Sequence, residues 1–205
     1  MKVVSTCKVC RRVGISVCGR EKCAIKRKPY PPGIHGRAFR RNVSEFGAQL
    51  REKQKARLLY GLREKQFKNI VLAALKQKKV RTPEAILNSL EARLDNVVYR
   101  LGFASTRAAA RQLVGHGHIA VNGRRVSIPS YSVSVGDEVS IKKESTQKGA
   151  FKDFDALVKK RISPSWLAVD PEKKSGRFVA HPSMEALDEF GKIFNINAVV
   201  EYYSR

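Results

Sequence analysis

The chain has 205 residues, of which 41 are Lys or Arg and 18 are Asp or Glu, so its formal net charge is +23. Its longest uninterrupted apolar run, residues 70–75, is far shorter than the roughly 20 residues that a membrane-spanning helix needs, and no apolar signal-peptide segment follows Met1. We therefore expect neither a membrane-spanning nor a secreted protein. Because so much positive charge disfavours a compact fold until a polyanion offsets it, nucleic acid or an anionic membrane is the expected partner.

The positive charge is concentrated near the N-terminus. Residues 1–42 carry a net charge of +11, whereas residues 146–205 carry only +2. Three prolines between residues 29 and 32 disfavour a helix and favour an extended path. An extended basic arm presents many cations to phosphate groups but does not fold by itself, so we expect it to be anchored. Arg27, Lys28 and His35 are candidate RNA contacts, with a turn residue or a spare metal ligand as alternatives for His35; Tyr30 either stacks on a base or packs against the prolines.

All four cysteines lie in this arm, in a C-x2-C-x7-C-x4-C pattern formed by Cys7, Cys10, Cys18 and Cys23. The first pair has the spacing of a zinc knuckle, and four thiolates would close a tetrahedral Zn²⁺ site with no position left for a catalytic water. Disulfides are not expected, because nothing exports the chain to an oxidising compartment. The pattern therefore favours structural zinc, with a 4Fe–4S cluster or a metal-free arm as the alternatives.

Helical patterns occupy most of residues 44–102. The first predicted helix begins at Ser44, a good N-cap, and ends at Gly61; a second is indicated by apolar residues at helical spacing between 67 and 75. Thr82 starts a third pattern, which reaches Gly102 either as one long helix or as two that meet near Ser89. Four cations of the first helix are candidate RNA contacts: Arg51, Lys53, Lys55 and Arg57.

Residues 105–141 predict one more helix followed by a small sheet. Thr106 caps a helix that ends at Gly115, and Asn122-Gly123 between alternating apolar residues is a strong hairpin signal. A strand ending at Ile141 completes the sheet. Six residues of this segment are candidate RNA contacts: Arg107, Arg111, His116, His118, Arg124 and Arg125.

The remaining tail suits packing better than RNA contact, because it is nearly neutral. Its apolar residues predict a short helix after Phe151, a hairpin between residues 166 and 179, and a closing strand near residues 198–200.

The longest of these patterns carry a family resemblance. EARLDNVVYRLGFA at 91–104, the helix at 105–114, GHGHI at 115–119 and VNGR at 121–124 resemble the RNA-binding domain named after ribosomal protein S4. The Cys-rich start, RKPYPPGIHG at 27–36, LREKQK at 50–55 and the terminal EYYSR resemble the rest of that bacterial ribosomal protein family, so the resemblance covers nearly the whole chain. The spacer between Cys10 and Cys18 is shorter than in metal-bearing relatives, and some relatives lack the cysteines.

The resemblance implies an α+β fold: a mostly helical domain from 43–90 and 146–205, an inserted S4-type domain of two helices and a small antiparallel sheet at 91–145, and the Cys-rich extended arm at 1–42. It also implies a cytoplasmic, ribosomal protein that binds 16S rRNA at a multi-helix junction of the 5′ domain, early in small-subunit assembly. Expected neighbours are small-subunit proteins number five and possibly number three, with mRNA near the entry channel. Some family members repress translation of their own operon.

An enzyme that carries the same RNA-binding domain as an accessory is the alternative class. Such enzymes need a separate catalytic domain, and the chain has no P-loop, dinucleotide-binding, zinc-protease or nucleophile-elbow motif. Anionic membrane is less favoured than RNA as a partner, because no basic amphipathic helix has a broad aromatic face. We therefore expect a structural RNA-binding protein, with no catalytic residues.

Overall fold

The computed structural model describes residues 6–38, 43–77, 80–145, 151, 154–160, 163–182 and 193–204. The chain divides into two compact units, one formed by Met1–Leu87 and Ser183–Arg205 and the other by Asn88–Pro182. The first is helical, and the second combines helices with an antiparallel sheet. Among these described residues, no helix has both the length and the apolar character that a membrane crossing requires.

The first unit begins with the cysteine arm, which is more folded than its proline content indicates. Helix α1 (Cys7–Val13) is followed by two 3₁₀ turns, Ala24–Lys26 and Ile34–Arg37. Gly14 ends α1 in the left-handed conformation, with φ of 87°, and its N–H bonds to Cys10 O. The arm therefore turns back on itself at a glycine, which brings the second pair of cysteines near the first.

After the arm, the first unit contains α2 (Glu45–Leu59), α3 (Glu64–Lys76), the first part of α4 (Thr82–Glu91) and the last helix of the chain. The Ser44 hydroxyl accepts the Gly47 N–H at 3.2 Å, so the predicted N-cap of α2 is confirmed. The buried face of this unit includes Leu62, Phe67 and Val71.

The strand predicted near residues 198–200 is wrong, because these residues belong to the last helix, α8 (Ile196–Ser204). Asn195 starts this helix: its Oδ1 accepts the N–H groups of Asn197 and Ala198, while its own N–H donates to Glu52. Val199 then lies fully buried. A three-residue apolar run has no period of its own, and here the polar cap determines its conformation.

The second unit contains the rest of α4, α5 (Leu94–Arg100), α6 (Arg107–Gly115) and α7 (Phe154–Lys160). The long apolar pattern is therefore two helices, separated at Ala92-Arg93. Residues 131–133 cause this break: Val133 N–H donates to Ala92 O, and Leu94 N–H donates to Tyr131 O, both at 2.8 Å.

The five strands are β1 (Ile119–Val121), β2 (Arg124–Arg125), β3 (Glu138–Ile141), β4 (Leu167–Asp170) and β5 (Ser175–Phe178). They form one antiparallel sheet in the order β2-β1-β3-β5-β4. Val121 pairs with Arg124, which is the register that the Asn-Gly turn predicts.

The predicted domain boundary at residue 145 differs from the structural division. The β4–β5 hairpin pairs with β3, and Phe154 of α7 contacts Phe103 with ring centroids 5.4 Å apart. Residues 151–182 therefore belong to the unit with the sheet rather than to the helical one. The physical reason is that β3 would otherwise be an exposed edge strand, whose unpaired backbone groups β5 satisfies.

Candidate RNA-binding surfaces and metal centre

The cysteine arm gathers its thiols in one place. The Sγ atoms of Cys7, Cys18 and Cys23 lie within 4.8 Å of one another. Cys10 is outside that group of three but is fully buried, and its thiol interacts with those of Cys18 and Cys23. A tetrahedral zinc ion with Zn–S bonds of about 2.3 Å needs sulfurs about 3.8 Å apart, so small side-chain movements would bring this donor set onto one ion.

The thiols differ in acidity. Burial raises the pKa of Cys10 to about 12, and hydrogen bonds to neighbouring thiols act in the same direction. Burial also raises the pKa of Cys23, but hydrogen bonds from the Ile25 backbone and from nearby side chains outweigh it and bring the value to about 7. Without a metal, the cluster therefore combines a thiol that ionises less readily than usual with one that ionises more readily.

Tyr30 is held between two arginines. The guanidinium carbons of Arg11 and Arg37 each lie 4.8 Å from the Tyr30 ring centroid, and Arg37 Nη2 donates to the hydroxyl at 3.2 Å. That hydrogen bond lowers the pKa of Tyr30. The ring therefore anchors cations rather than offering a bare face to a base, whereas Arg27, Lys28 and His35 are exposed nearby.

The four cations predicted on α2 have different surroundings. Lys53 is only 5 % exposed, donates to Glu64 Oε1 at 2.7 Å and lies 4.4 Å from the Tyr202 ring centroid, so it belongs to the contact between α2 and α8. Arg57 also pairs with Glu64, at 3.3 Å. Lys55 pairs with Glu52 at 2.7 Å. Arg51 is exposed. Because this helix is charged throughout, its sequence does not show which side is buried and ion-paired. The contacts with residues of α3 and α8 determine that side.

The two arginines predicted on α6 are part of a network that ties α5 to α6. Arg111 Nη2 lies 2.5 Å from Asp95 Oδ2, and Arg93 holds the same carboxylate at 2.9 Å. Arg107 Nε donates to Asn96 Oδ1 at 2.9 Å. Asp95 is 3 % exposed, so its charge requires these partners. A third of the Arg111 side chain stays exposed.

The hairpin arginines are the clearest outward cations of the second unit. Arg124 and Arg125 form β2 and are both exposed. Arg125 lies directly over Gly117, where φ is +72° and a Cβ would collide with the guanidinium. Asn122, at a φ of +49°, fixes the turn by bonding to Asp137 and to the Glu138 N–H. The hairpin tip is therefore preorganised.

The two histidines before β1 also differ. His116 is exposed. His118 is partly buried, its Nδ1 lies 3.0 Å from the Ser145 hydroxyl, and its ring meets Phe151 edge-on. His118 thus supports the packing beneath the sheet, while His116 faces solvent.

Sequence reasoning missed two contributors to these surfaces. Arg37 is exposed beside Tyr30, and Arg11 holds the same loop through backbone carbonyls. Arg37 follows the GIHG segment directly and could have been included on charge alone. The role of Arg11 depends on a contact 19 residues away in the chain, for which the sequence has no signal.

Two family models match the chain. "Ribosomal protein S4/S9 N-terminal domain" matches residues 4–91, and "S4 domain" matches residues 92–139. The second match includes α5, α6 and the β1–β2 hairpin with its exposed arginines.

Curated relatives match over almost the full length. The small ribosomal subunit protein uS4 of Syntrophomonas wolfei is 44% identical over 207 aligned positions, covering 98% of this chain and 97% of the relative. The uS4 protein of Thermus thermophilus is 45% identical, covering 97% and 96%. The uS4A protein of Alkaliphilus oremlandii is 47% identical, covering 98% and 97%.

Proposed function

The chain belongs to the small ribosomal subunit protein uS4 family, and on this premise we propose that it is a ribosomal structural component that binds 16S rRNA at a multi-helix junction of the 5′ domain. In this role it helps to nucleate assembly of the small subunit. Its relatives are ribosomal structural proteins rather than enzymes.

The preorganised hairpin tip carries this proposal. Arg124 and Arg125 are exposed on a hairpin whose turn Asn122 fixes, inside the segment that matches the S4 domain. A backbone turn that is held in advance loses little conformational entropy on binding. A-form RNA presents phosphates, 2′-hydroxyls and shape rather than a readable base code, so exposed arginines on a fixed hairpin suit recognition of backbone geometry.

The unit formed by Met1–Leu87 and Ser183–Arg205 also carries exposed cations. Arg27, Lys28, His35, Arg37 and Arg51 are exposed there, and His116 is exposed next to the hairpin unit's first strand. Lys53, Lys55 and Arg57 have intramolecular carboxylate partners. The exposed cations therefore make most of the contacts with RNA. The paired cations hold together the helices that carry the exposed ones.

Binding of the full-length protein to a 5′-domain transcript, measured across a salt series, tests the function. If about 6–10 phosphates are neutralised, the affinity falls about 10³–10⁵-fold between 50 and 200 mM salt. An uninterrupted RNA duplex of equal length should compete poorly, because it lacks the junction. Absence of binding in dilute salt, or equal competition by the duplex, would contradict the proposal.

We further propose that Cys7, Cys10, Cys18 and Cys23 hold a structural Zn²⁺ ion. Three thiols within 4.8 Å support one shared ion over a 4Fe–4S cluster, because a cluster places each thiolate on a different iron and spreads the sulfurs farther apart. The ion would cross-link an arm that is too polar to form a core. Elemental analysis and visible absorption of the purified protein distinguish zinc, an iron–sulfur cluster and a metal-free arm.

Family membership also supports proposals about neighbours. The protein lies beside small-subunit proteins number five and number three, near the mRNA entry channel, in the cytoplasm. Cross-linking within isolated small subunits tests this placement. Binding of its own operon mRNA, with repression of translation, is a secondary proposal that uses the same RNA surface. Competition between that mRNA and the 5′-domain transcript for the protein would test it.

A further inference from the structure

Ile34 is the most exposed large apolar side chain among the described residues. It is 97 % exposed, compared with 59 % for Ile128, the next in order. It begins the 3₁₀ turn Ile34–Arg37, directly after Gly33, whose φ is +112°. Covering an isoleucine that is exposed on nearly every side makes the free energy of binding more favourable.

The loop that carries Ile34, residues 29–37, is tightly held. Arg11 Nε donates to Tyr30 O at 2.9 Å, and Arg11 Nη2 donates to Pro31 O at 3.1 Å. Gly36 approaches Pro31 O so closely that a Cβ would collide with it. Arg37 closes the loop by its contact with Tyr30. Ile34 is therefore presented by a fixed loop, and covering it costs little ordering of the backbone.

The surroundings of Ile34 indicate what covers it. Exposed Lys28, His35 and Arg37 belong to the same part of the arm, and Glu21 is the sole acidic residue of segment 6–38. A protein surface with an apolar pocket would have to be strongly acidic to approach here. RNA supplies both features at once, since its phosphates attract the cations and an unstacked base offers a flat apolar face.

We propose that Ile34 packs against an unstacked base of the ribosomal RNA and acts as an apolar contact beside the phosphate-binding cations of the arm. The inference rests on the proposed rRNA binding and adds a contact that is independent of charge. Cation contacts displace counterions and so determine the salt dependence of affinity, whereas an apolar contact displaces only water. The two kinds of contact can therefore be separated by experiment.

The test compares full-length Ile34→Ser with wild type for binding to the 5′-domain transcript at several salt concentrations. Ile128→Ser in the other unit is the matched control, since it makes the same chemical change at an exposed site. Losing most of the burial of one isoleucine predicts an affinity decrease on the order of 10- to 100-fold for Ile34→Ser, with an unchanged slope of log affinity against log salt. Ile128→Ser should bind as wild type does.

A second variant identifies the contacting group. Ile34→Trp keeps an apolar face at a site that is exposed enough to accept a larger side chain, so we expect its affinity to stay within about threefold of wild type. Its added fluorescence should be quenched by the transcript if it stacks on a base. The native Trp166 is 5 % exposed, and its signal is subtracted with wild-type protein.

The outcomes separate this inference from the function on which it rests. If wild type binds the transcript but Ile34→Ser binds equally well, or changes the salt slope, the apolar contact is refuted while the function stands. If Ile34→Trp is quenched only when other ribosomal proteins are added, Ile34 contacts protein and the inference is again refuted. If wild type itself does not bind, the proposed function fails first.

Discussion

Asn122 and Asp137 join two turns of the small sheet, with Asn122 Nδ2 donating to Asp137 Oδ1 at 2.8 Å. The other carboxylate oxygen of Asp137 accepts the Ser134 N–H, also at 2.8 Å. The β1–β2 hairpin is thereby tied to the turn that precedes β3. Two exposed arginines extend from this tied hairpin, so the contact determines where they point.

Removing this contact should loosen the hairpin. Asn122→Ala loses the side-chain bonds and places an alanine at a φ of +49°, so we expect it to lower the free energy of unfolding by about 1–3 kcal/mol. Asn122→Gly tolerates that φ and should lose only about 1 kcal/mol, the part due to the side-chain bonds. Urea unfolding measures both variants. Equal stability of Asn122→Ala and wild type would show that the contact does not hold the turn.

Arg124 and Arg125 should contribute to RNA affinity through their charge and should contribute little to the stability of the fold. We expect Arg124→Gln with Arg125→Gln to weaken transcript binding and to reduce the salt slope by about 1.4–1.8, the contribution of two phosphate contacts. The free energy of unfolding should stay within about 0.5 kcal/mol of wild type, because both side chains are exposed. Lys173→Gln, at a side chain 78% exposed on the β4–β5 turn, is the control and should leave the slope unchanged. Wild-type affinity of the double variant would show that neither arginine contacts the RNA.

Asp95 should be a sensitive charged position of the second unit. Its carboxylate holds both Arg93 and Arg111 while it is almost completely buried. Asp95→Asn leaves two arginines with a neutral partner, so we expect a loss of about 3 kcal/mol or more in the free energy of unfolding. Asp170→Asn breaks an exposed pair with Lys173 at 3.7 Å and should cost less than about 1 kcal/mol. Similar losses for the two variants would contradict the importance of burial at Asp95.

The contact between α2 and α8 should depend on pH. Burial disfavours the Glu64 carboxylate, but hydrogen bonds from Lys53 and Tyr203 outweigh it and hold the pKa of Glu64 below its ordinary 4.5. A depressed folded-state pKa contributes stability that is present above the ordinary value and lost as the pH falls through the folded value. Burial, and then the hydrogen bond to Glu64, raise the pKa of Tyr203. Its contribution to the free energy of unfolding is therefore present below pH 10 and is lost as the pH rises beyond that value.

Urea unfolding of wild type at pH 7 and pH 3.5 measures the acid part of this dependence. Glu64→Gln should be less stable than wild type at pH 7 and should lose less on acidification, because the titrating group is gone. Glu144→Gln is the control at an exposed carboxylate, 83% accessible, and should keep the wild-type acid response. An unchanged acid response in Glu64→Gln would show that this carboxyl is not the group responsible.

Metal removal should affect only the arm. Because the four thiols of residues 7–23 would share the ion, chelation should increase the sensitivity of the arm to protease while 91–145 stays intact. Mass spectrometry of the fragments locates the cleavage sites. Cys23→Ser should reproduce the effect without chelator, and an unchanged digestion pattern in both experiments would contradict the metal proposal.

Local patterns predicted most of the helices and the hairpin. Ser44 and Thr106 are N-caps in the structure, as their sequence context indicated, since a cap depends only on the next three residues. The Asn122-Gly123 turn likewise determined its own register. The break at Ala92-Arg93 was uncertain from sequence, because a loop nearly 40 residues downstream supplies the hydrogen bonds that create it.

The sequence by itself determined the family, the basic character, the clustering of cysteines and the arginine hairpin, because each is a local pattern or a property of composition. Only the tertiary structure decided which cations are exposed and which form ion pairs with carboxylates. Lys53 and Arg51 lie two residues apart in one charged helix, yet Lys53 is buried against Glu64 and Tyr202, whereas Arg51 is exposed. Pairing and burial depend on residues brought together from distant parts of the chain, and no local charge pattern contains that information.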